Sequence, residues 1–121
     1  MAGLQRQYRM GAARQFNYVY RRGKKASCRE LSLLFVKNNQ KRVGFSVSKK
    51  VGVAVVRNRT RRRIREVYRI HEDRFTSGWD IVVVARTRSV NADFGDLTHA
   101  YLSLAQKAGL LRPLPESEVT L

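Results

Sequence analysis

The residues with the strongest chemical signal in this chain form a stretch dominated by arginine. Seven of the thirteen residues from position 57 to position 69 are Arg, and Glu66 is the only acid among them. Guanidinium groups donate paired hydrogen bonds that match phosphate oxygens and guanine edges. Neighbouring cations on a helix also repel one another unless a polyanion neutralises them. We therefore expect this stretch to bind a nucleic acid rather than to be an ordinary solvated surface.

The same stretch has the periodicity of an amphipathic α-helix, which we predict over residues 56–72. Spacings of three and four residues bring together an apolar face of Thr60, Ile64, Val67, Tyr68 and His71. The opposite side then carries Asn58, Arg59, Arg62, Arg65 and Arg69. Arg61 and Arg63 fall at the two borders. Such a helix can dock on a core with one face and present cations to a polyanion with the other.

The composition limits what kind of protein can hold this helix. The chain has 121 residues, a net charge of +16 and a pI near 11.2, which fits one basic domain with a polyanionic partner. No apolar run reaches the length of a membrane span, and the N-terminus lacks the apolar stretch of a signal peptide. Cys28 is the only cysteine and cannot form an internal disulfide, so we expect a cytoplasmic protein. Two His and one Cys give no zinc-binding spacing.

Local patterns predict the elements that position the arginine helix. We expect an N-terminal helix ending at Gly23, strands at residues 31–36 and 43–48 that form a hairpin, a buried central strand at 80–85, and a helix at 94–108 ended by Gly109. This predicts an α+β two-layer sandwich with helices against a mostly antiparallel sheet. The domain would cover residues 1–112, followed by a flexible tail at 113–121. A βαβ unit around the arginine helix would by general rule be right-handed.

The order of motifs resembles one family. Residues 44–52 read Gly-Phe-Ser-Val-Ser-Lys-Lys-Val-Gly, residues 54–59 read Ala-Val-Val-Arg-Asn-Arg, and Arg62, residues 64–66 (Ile-Arg-Glu) and Arg69 follow. This combination closely resembles the bacterial ribonuclease P protein subunit, and the similarity covers roughly residues 8–112. A run of arginines alone would be weak evidence, whereas the ordered combination is specific.

The resemblance implies a fold and a role that the residues alone do not reveal. It implies the element order α-β-β-β-α-β-α, with a short additional strand before Leu31 and a left-handed crossover around the arginine helix. It also implies that the protein joins a large catalytic RNA, which removes the 5′ leader from precursor tRNA. Ribonuclease P RNA and precursor tRNA would be its partners, with no membrane and no obligate protein partner.

The resemblance assigns two sets of site residues. The residues expected to bind the RNA subunit are Lys49, Lys50, Arg57, Asn58, Arg59, Arg61, Arg62, Arg65 and Arg69. The residues expected to bind the single-stranded leader are Phe16, Tyr20, Ser32, Leu34 and Arg86. Asn58 also suits a helix N-cap, and Phe16 and Tyr20 also suit a core, so these alternatives stay open. Arg63 and Glu66 are expected to be more structural.

No set of side chains in the sequence indicates a protein active site. Because the resemblance implies a catalytic RNA, we expect hydrolysis on the RNA subunit, assisted by Mg²⁺ held by RNA and substrate phosphates. The alternative is a ribosomal or other structural RNA-binding protein, which the ordered motifs disfavour. A DNA-binding protein would need a dimerisation surface that the sequence does not indicate, and a protein-only nuclease would need acidic metal ligands.

Overall fold

The computed structural model describes residues 13–113, and within them the chain forms three helices and four strands. The helices are α1 (Ala13–Arg22), α2 (Ala54–His71) and α3 (Phe94–Lys107). The strands are β1 (Lys24–Ser27), β2 (Leu31–Lys37), β3 (Arg42–Val47) and β4 (Trp79–Ala85). Short 3-10 turns lie at Lys49–Val51, Glu72–Arg74 and Thr87–Val90. The order and the α+β class agree with the prediction.

The sheet has the strand order β1-β2-β4-β3, with β4 inside the sheet. β4 pairs antiparallel with β2 and parallel with β3. The predicted hairpin between the second and third strands is therefore wrong, because β4 lies between them. Residues 81–85 form an unbroken apolar run, which favours a position inside the sheet, where both faces of the strand are covered. The two flanking strands are then separated by one strand rather than joined.

The additional strand before Leu31, expected only from the family resemblance, is present as β1. It has the sequence Lys-Lys-Ala-Ser and pairs antiparallel with β2 at the edge of the sheet. Lys24 and Lys25 are exposed, and lysines at an edge discourage pairing with other chains. β3, α2 and β4 form the expected βαβ unit, and its left-handedness stays a prediction.

The sheet divides the molecule into two unequal layers. Alternate residues of β2 face opposite sides of the sheet, with Leu31, Leu33 and Phe35 in the core shared with α2 and α3. Leu34 faces the other way and packs with Val19 of α1. We call these two sides the α2–α3 face and the α1 face.

Glycine and capping residues end and begin the helices that flank the sheet. The Gly23 N–H donates to the carbonyl of Val19 at 2.7 Å, and a Cβ at Gly23 would lie 2.5 Å from that same oxygen. Gly109, which follows α3, has a φ of 79°, in the left-handed region that favours glycine. Asp93 caps the start of α3 by accepting a hydrogen bond from the Asp96 N–H at 2.8 Å. Both predicted helix ends are confirmed.

The predicted domain limits fall mostly outside the described residues. Residues 1–12 and 114–121 are not described, so the boundary at residue 112 and the flexible tail at 113–121 stay predictions. Among the helices that are described, none combines the length and the hydropathy needed to cross a bilayer.

Candidate RNA interface

α2 is fixed on the α2–α3 face by the apolar side predicted from its periodicity. Thr60, Ile64, Val67 and Tyr68 are each at most 1% exposed. The Thr60 hydroxyl donates to the Val56 carbonyl at 2.8 Å, which satisfies the hydrogen-bonding need of this buried group. The Tyr101 hydroxyl of α3 donates to the Ile64 carbonyl at 3.1 Å. Desolvation raises the pKa of Tyr101 well above its ordinary value, so this hydroxyl stays a donor.

The opposite side of α2 presents the predicted cations to solvent. Asn58, Arg59 and Arg62 are exposed, and Arg65 and Arg69 are partly buried. We call the surface formed by Asn58, Arg59, Arg62, Arg65 and Arg69 the arginine surface. Within residues 13–113, Arg59 and Arg62 make no ion pair, so their guanidinium groups are available to a polyanion. The structure thus brings these five predicted residues together on one continuous helix surface.

Arg57 and Arg61 lie beside this surface and have partners within the protein. The Arg57 Nε donates to the Gly52 carbonyl at 3.1 Å, which ties α2 to the turn before it. The Arg61 guanidinium donates to the Asn58 side-chain oxygen at 3.2 Å. Both retain further N–H donors, because a guanidinium carries five.

The Arg61 contact also bears on the role of Asn58. The N-cap position of α2 belongs to Val53, and the helix starts at Ala54, so Asn58 lies in the second turn. The alternative in which Asn58 caps the helix is therefore wrong. Its side chain belongs to the exposed arginine surface instead.

Arg63 faces away from the arginine surface and holds a loop. Its guanidinium donates to the Ser89 carbonyl at 3.1 Å, and also to the carbonyls of Val90 and Ala92. Three carbonyls around one guanidinium fix the connection between β4 and α3 onto α2. These contacts agree with the expectation that Arg63 is more structural than the other arginines.

A 3-10 turn displays the two predicted lysines at the start of α2. Val51 is 7% exposed and packs into the core, while Lys49 and Lys50, the first two residues of the turn, are exposed. A Cβ at Gly52 would come within 3.0 Å of the Val56 side chain, so glycine permits the close approach of this turn to α2. The lysine pair is thereby held beside the first turn of the arginine helix.

Glu66 is the single acid within residues 57–69 and pairs with Arg69. The Arg69 Nε lies 3.1 and 3.0 Å from the two carboxylate oxygens of Glu66. These hydrogen bonds lower the pKa of Glu66 and raise that of Arg69. The carboxylate is therefore ionised at neutral pH and orients one cation of the arginine surface.

The predicted leader-binding residues all lie on or beside the α1 face, with very different exposure. Phe16 is partly buried against Val19, Leu34 and Val82. Tyr20 is 46% exposed. Phe16 therefore has a packing role that Tyr20 lacks.

The remaining predicted leader residues come from the sheet. Ser32 and Leu34 are 6% and 9% exposed, and the Ser32 and Ser27 hydroxyls lie 2.8 Å apart. Arg86 is exposed at the end of β4 and donates to the Cys28 carbonyl at 2.8 Å. Tyr20 and Arg86 thus offer surface to a ligand, whereas Leu34 is buried against α1 and Ser32 is buried beside Ser27 of β1. The leader-binding role of all five residues stays a prediction.

Sequence reasoning missed a second group of exposed residues on α1. Arg14, Tyr18 and Arg21 follow the helical spacing of four and three residues, and all three are exposed. Their spacing predicts a shared helix side with two cations and an aromatic ring. From the sequence, only Phe16 and Tyr20 of this helix were assigned to binding.

Comparison with known proteins agrees with this architecture. The family model described as Ribonuclease P matches residues 4–109. The chain belongs to the ribonuclease P protein family. The ribonuclease P protein component of Clostridium botulinum strain Langeland is 45% identical over 100 residues, covering 80% of this chain and 90% of the relative. That of Clostridium kluyveri is 40% identical over 110 residues, covering 87% and 97%.

Solved structures of ribonuclease P proteins share the fold. The Staphylococcus aureus RNase P protein superposes with a TM-score of 0.78 at 28% identity, covering 87% of this chain and 98% of that one. The Thermotoga maritima RNase P protein gives 0.75 at 30% identity, covering 82% and 96%. Family membership makes the chain a protein subunit of ribonuclease P, the enzyme of tRNA 5′ processing, with ribonuclease P RNA as its partner. The alternative of a ribosomal or other structural RNA-binding protein is not favoured.

Proposed function

We propose that the arginine surface and the Lys49–Lys50 turn bind the RNA subunit of ribonuclease P. The observation that carries this proposal is the combination of a buried side that fixes α2 and an exposed side on which, within residues 13–113, Arg59 and Arg62 make no ion pair. A rigid helix loses little conformational freedom on binding, so its cations meet phosphates at low entropic cost. Neutralising phosphates also releases counterions, which favours assembly at low salt.

The α1 face is proposed to bind the single-stranded 5′ leader of precursor tRNA. Tyr20 offers a half-exposed aromatic ring that can stack on a base, and Arg86 offers a cation at the end of β4. Phe16 packs against the buried cluster of this face, and Ser32 and Leu34 are buried in the sheet behind it. The protein subunit would bind the leader, and the RNA subunit would bind the rest of the precursor tRNA. One substrate would then contact both subunits.

Hydrolysis is proposed to take place on the RNA subunit, with Mg²⁺ held by RNA and substrate phosphates. Within residues 13–113, no three His, Cys, Asp or Glu side chains lie together as metal ligands. The surfaces proposed to meet RNA are instead strongly cationic, which disfavours a divalent cation on the protein itself. The protein would contribute by screening phosphate repulsion between the RNA subunit and the substrate.

Reconstitution at low Mg²⁺ tests this division of labour. The full chain, a bacterial ribonuclease P RNA and a precursor tRNA are combined, with protein alone and RNA alone as controls. We expect 5′ cleavage from the mixture at a Mg²⁺ concentration where RNA alone is slow, and no cleavage by protein alone. Robust cleavage by RNA-free protein would overturn the assignment of chemistry to RNA. Failure of the protein to stimulate the RNA would overturn the proposed function as a whole.

A further inference from the structure

The outward side of α1 carries cations and an aromatic ring that the proposed function does not use. Arg14, Tyr18 and Arg21 are exposed, and Tyr18 retains 45% of its surface. Val19 of the same helix is fully buried, so α1 is held on the sheet while these side chains face solvent. Aromatic rings among cations are the arrangement by which proteins bind single-stranded nucleic acid.

These side chains line a concavity at one corner of the sheet. It has a volume of about 630 Å³ and lies where β2 ends and where β3 and β4 begin. Its charged lining consists of Arg14, Arg21, Lys37, Arg42 and Asp80, and three side-chain amides also line it. Four cations therefore face a single carboxylate.

That carboxylate is neutralised within the floor of the concavity. Asp80 is 1% exposed and accepts hydrogen bonds from the Arg42 guanidinium at 2.9 and 2.7 Å. The Asn38 side chain donates to it at 2.6 Å. Arg42 and Asp80 thus form a fixed ion pair in the floor of the concavity. The other cations therefore set the net charge of the concavity.

The remaining three cations have no acidic partner in the part of the chain that is described. Within residues 13–113, neither Arg14, Arg21 nor Lys37 forms an ion pair. The Lys37 ammonium lies 6.0 Å from the centre of the Trp79 ring, which holds it near the rim. An anionic ligand would supply the missing counter-charge.

The register of the sheet places this concavity in line with the proposed leader surface. Ser32 pairs with Val84 near the end of β4 that carries Arg86, whereas Lys37 pairs with Trp79 at the opposite end. Ser32, Leu34 and the concavity therefore follow one another along the α1 face. A single strand that begins near Arg86 and continues along this face reaches Tyr18 and Lys37 last.

We propose that the concavity is a second subsite for single-stranded RNA, which binds the part of the 5′ leader farther from the cleavage site. Tyr18 stacks on a base, and Arg14, Arg21 and Lys37 bind phosphates. This inference rests on the proposed function, because it requires the leader to cross the α1 face. It adds a contact that only precursor tRNAs with longer leaders can make.

The test measures the affinity of the reconstituted holoenzyme for precursor tRNAs with a graded series of leader lengths. We expect Tyr18→Ala to weaken binding by roughly 5- to 150-fold, the equivalent of one lost stacking contact, only for the longer leaders. Tyr18→Phe keeps the ring and should retain the affinity.

Arg21→Ala provides an independent variant, with Lys107→Ala as its matched control. Both replacements remove one exposed cation from the end of a helix, but Lys107 lies on α3, away from the concavity. Arg21→Ala should lose affinity for long leaders and Lys107→Ala should not. Arg22 remains in the last turn of α1, so the helix end keeps a favourable charge.

The outcomes separate this inference from the proposed function. If the parent holoenzyme prefers long leaders but the Tyr18 and Arg21 variants bind every substrate like the parent, the subsite is refuted and the function stands. An equal loss at every leader length would assign the concavity to the tRNA body or the RNA subunit and would also refute it. A parent holoenzyme without any dependence on leader length would refute both.

Discussion

The two faces of the sheet are covered to very different extents. The α2–α3 face is buried beneath two helices in a continuous core that includes Leu33, Tyr68, Phe75 and Tyr101. Tyr68 and Phe75 lie with ring centres 4.7 Å apart, and Phe75 meets the Tyr101 ring edge-on at 6.4 Å. Within residues 13–113, the α1 face is covered by the ten-residue helix α1, and its buried cluster consists of Val19, Leu34 and Val82.

Under the proposed function, this difference assigns stability mainly to the α2–α3 face and leader binding to the α1 face. Aromatic and aliphatic side chains on the α2–α3 face bury most of the apolar surface, and they fix α2 so that the arginine surface keeps its geometry. Among residues 13–113, few buried contacts hold α1, so we expect that helix to open more readily than α2 and α3. We infer that the RNA subunit meets a rigid surface, whereas the leader meets one that can adjust.

Truncating neighbouring leucines of β2 compares the two faces directly, because their side chains point to opposite sides. Leu33 is fully buried on the α2–α3 face, and Leu34 is 9% exposed on the α1 face. Leu33→Ala should lower the free energy of unfolding by about 2–5 kcal/mol, the usual cost of a buried leucine. Leu34→Ala should cost less, because α1 can settle into the space. Urea denaturation of both variants measures this, and equal losses would show that the faces contribute alike.

Within α2, the comparison predicts that binding and stability are divided between adjacent arginines. Arg59→Ala combined with Arg62→Ala should weaken binding of ribonuclease P RNA and make its salt dependence shallower by up to about two units. Both side chains are exposed, so the melting temperature should change little. The observables are RNA affinity over a salt series and thermal unfolding of the free protein.

Arg63→Ala is the matched control in the same helix. It should lower the melting temperature, because three loop carbonyls lose their donor, and should leave the salt slope nearly unchanged. The division would be wrong if the double variant melted much earlier yet bound RNA like the parent.

Sequence periodicity located α2 and its buried side because both depend on residues close together in the chain. The hairpin prediction failed since strand pairing depends on β4, which lies more than thirty residues after β3 in the sequence. β1 has no apolar pattern of its own, so only family resemblance indicated it. Arg62 and Arg63 look alike in sequence, and the partner of Arg63 is a loop 26 to 29 residues away that periodicity cannot locate.

The same limit explains the α1 face. Phe16 and Tyr20 share a helix side by spacing, yet Phe16 packs on the sheet and Tyr20 remains half exposed. Spacing defines a side of a helix, while the depth of burial depends on how the helix crosses the sheet. The corner concavity depends on three strands and a helix meeting, which no local pattern contains.

Substitution of these two aromatic residues compares a partly buried side chain of α1 with a half-exposed one. Tyr20→Ala should weaken holoenzyme binding to long-leader precursor tRNA by about 1–3 kcal/mol with little change in stability. Phe16→Ala should lower both the affinity and the melting temperature, because its ring also packs against Val19, Leu34 and Val82. Affinities for long and very short leaders, with melting curves, resolve the two effects. A Tyr20→Ala loss that was the same for both substrates would argue against leader stacking.

The smallest expected effect concerns the ion pair on the outer side of α2. Hydrogen bonds from Arg69 hold the pKa of Glu66 below its ordinary value of 4.5. A carboxylate whose pKa is lowered by folding stabilises the folded state above its unfolded pKa, and this contribution is lost as the pH falls through the lowered pKa. The difference in melting temperature between the parent and Glu66→Gln should therefore be small near neutral pH, should decline below pH 4.5 and should vanish below the lowered pKa. Because the pair is exposed, salt should also reduce the difference.

In an Arg69→Ala background, Glu66→Gln should have no further effect, since the donor is already absent. A large loss of stability at neutral pH, or one that persists in that background, would mean that Glu66 supports the fold through contacts other than Arg69.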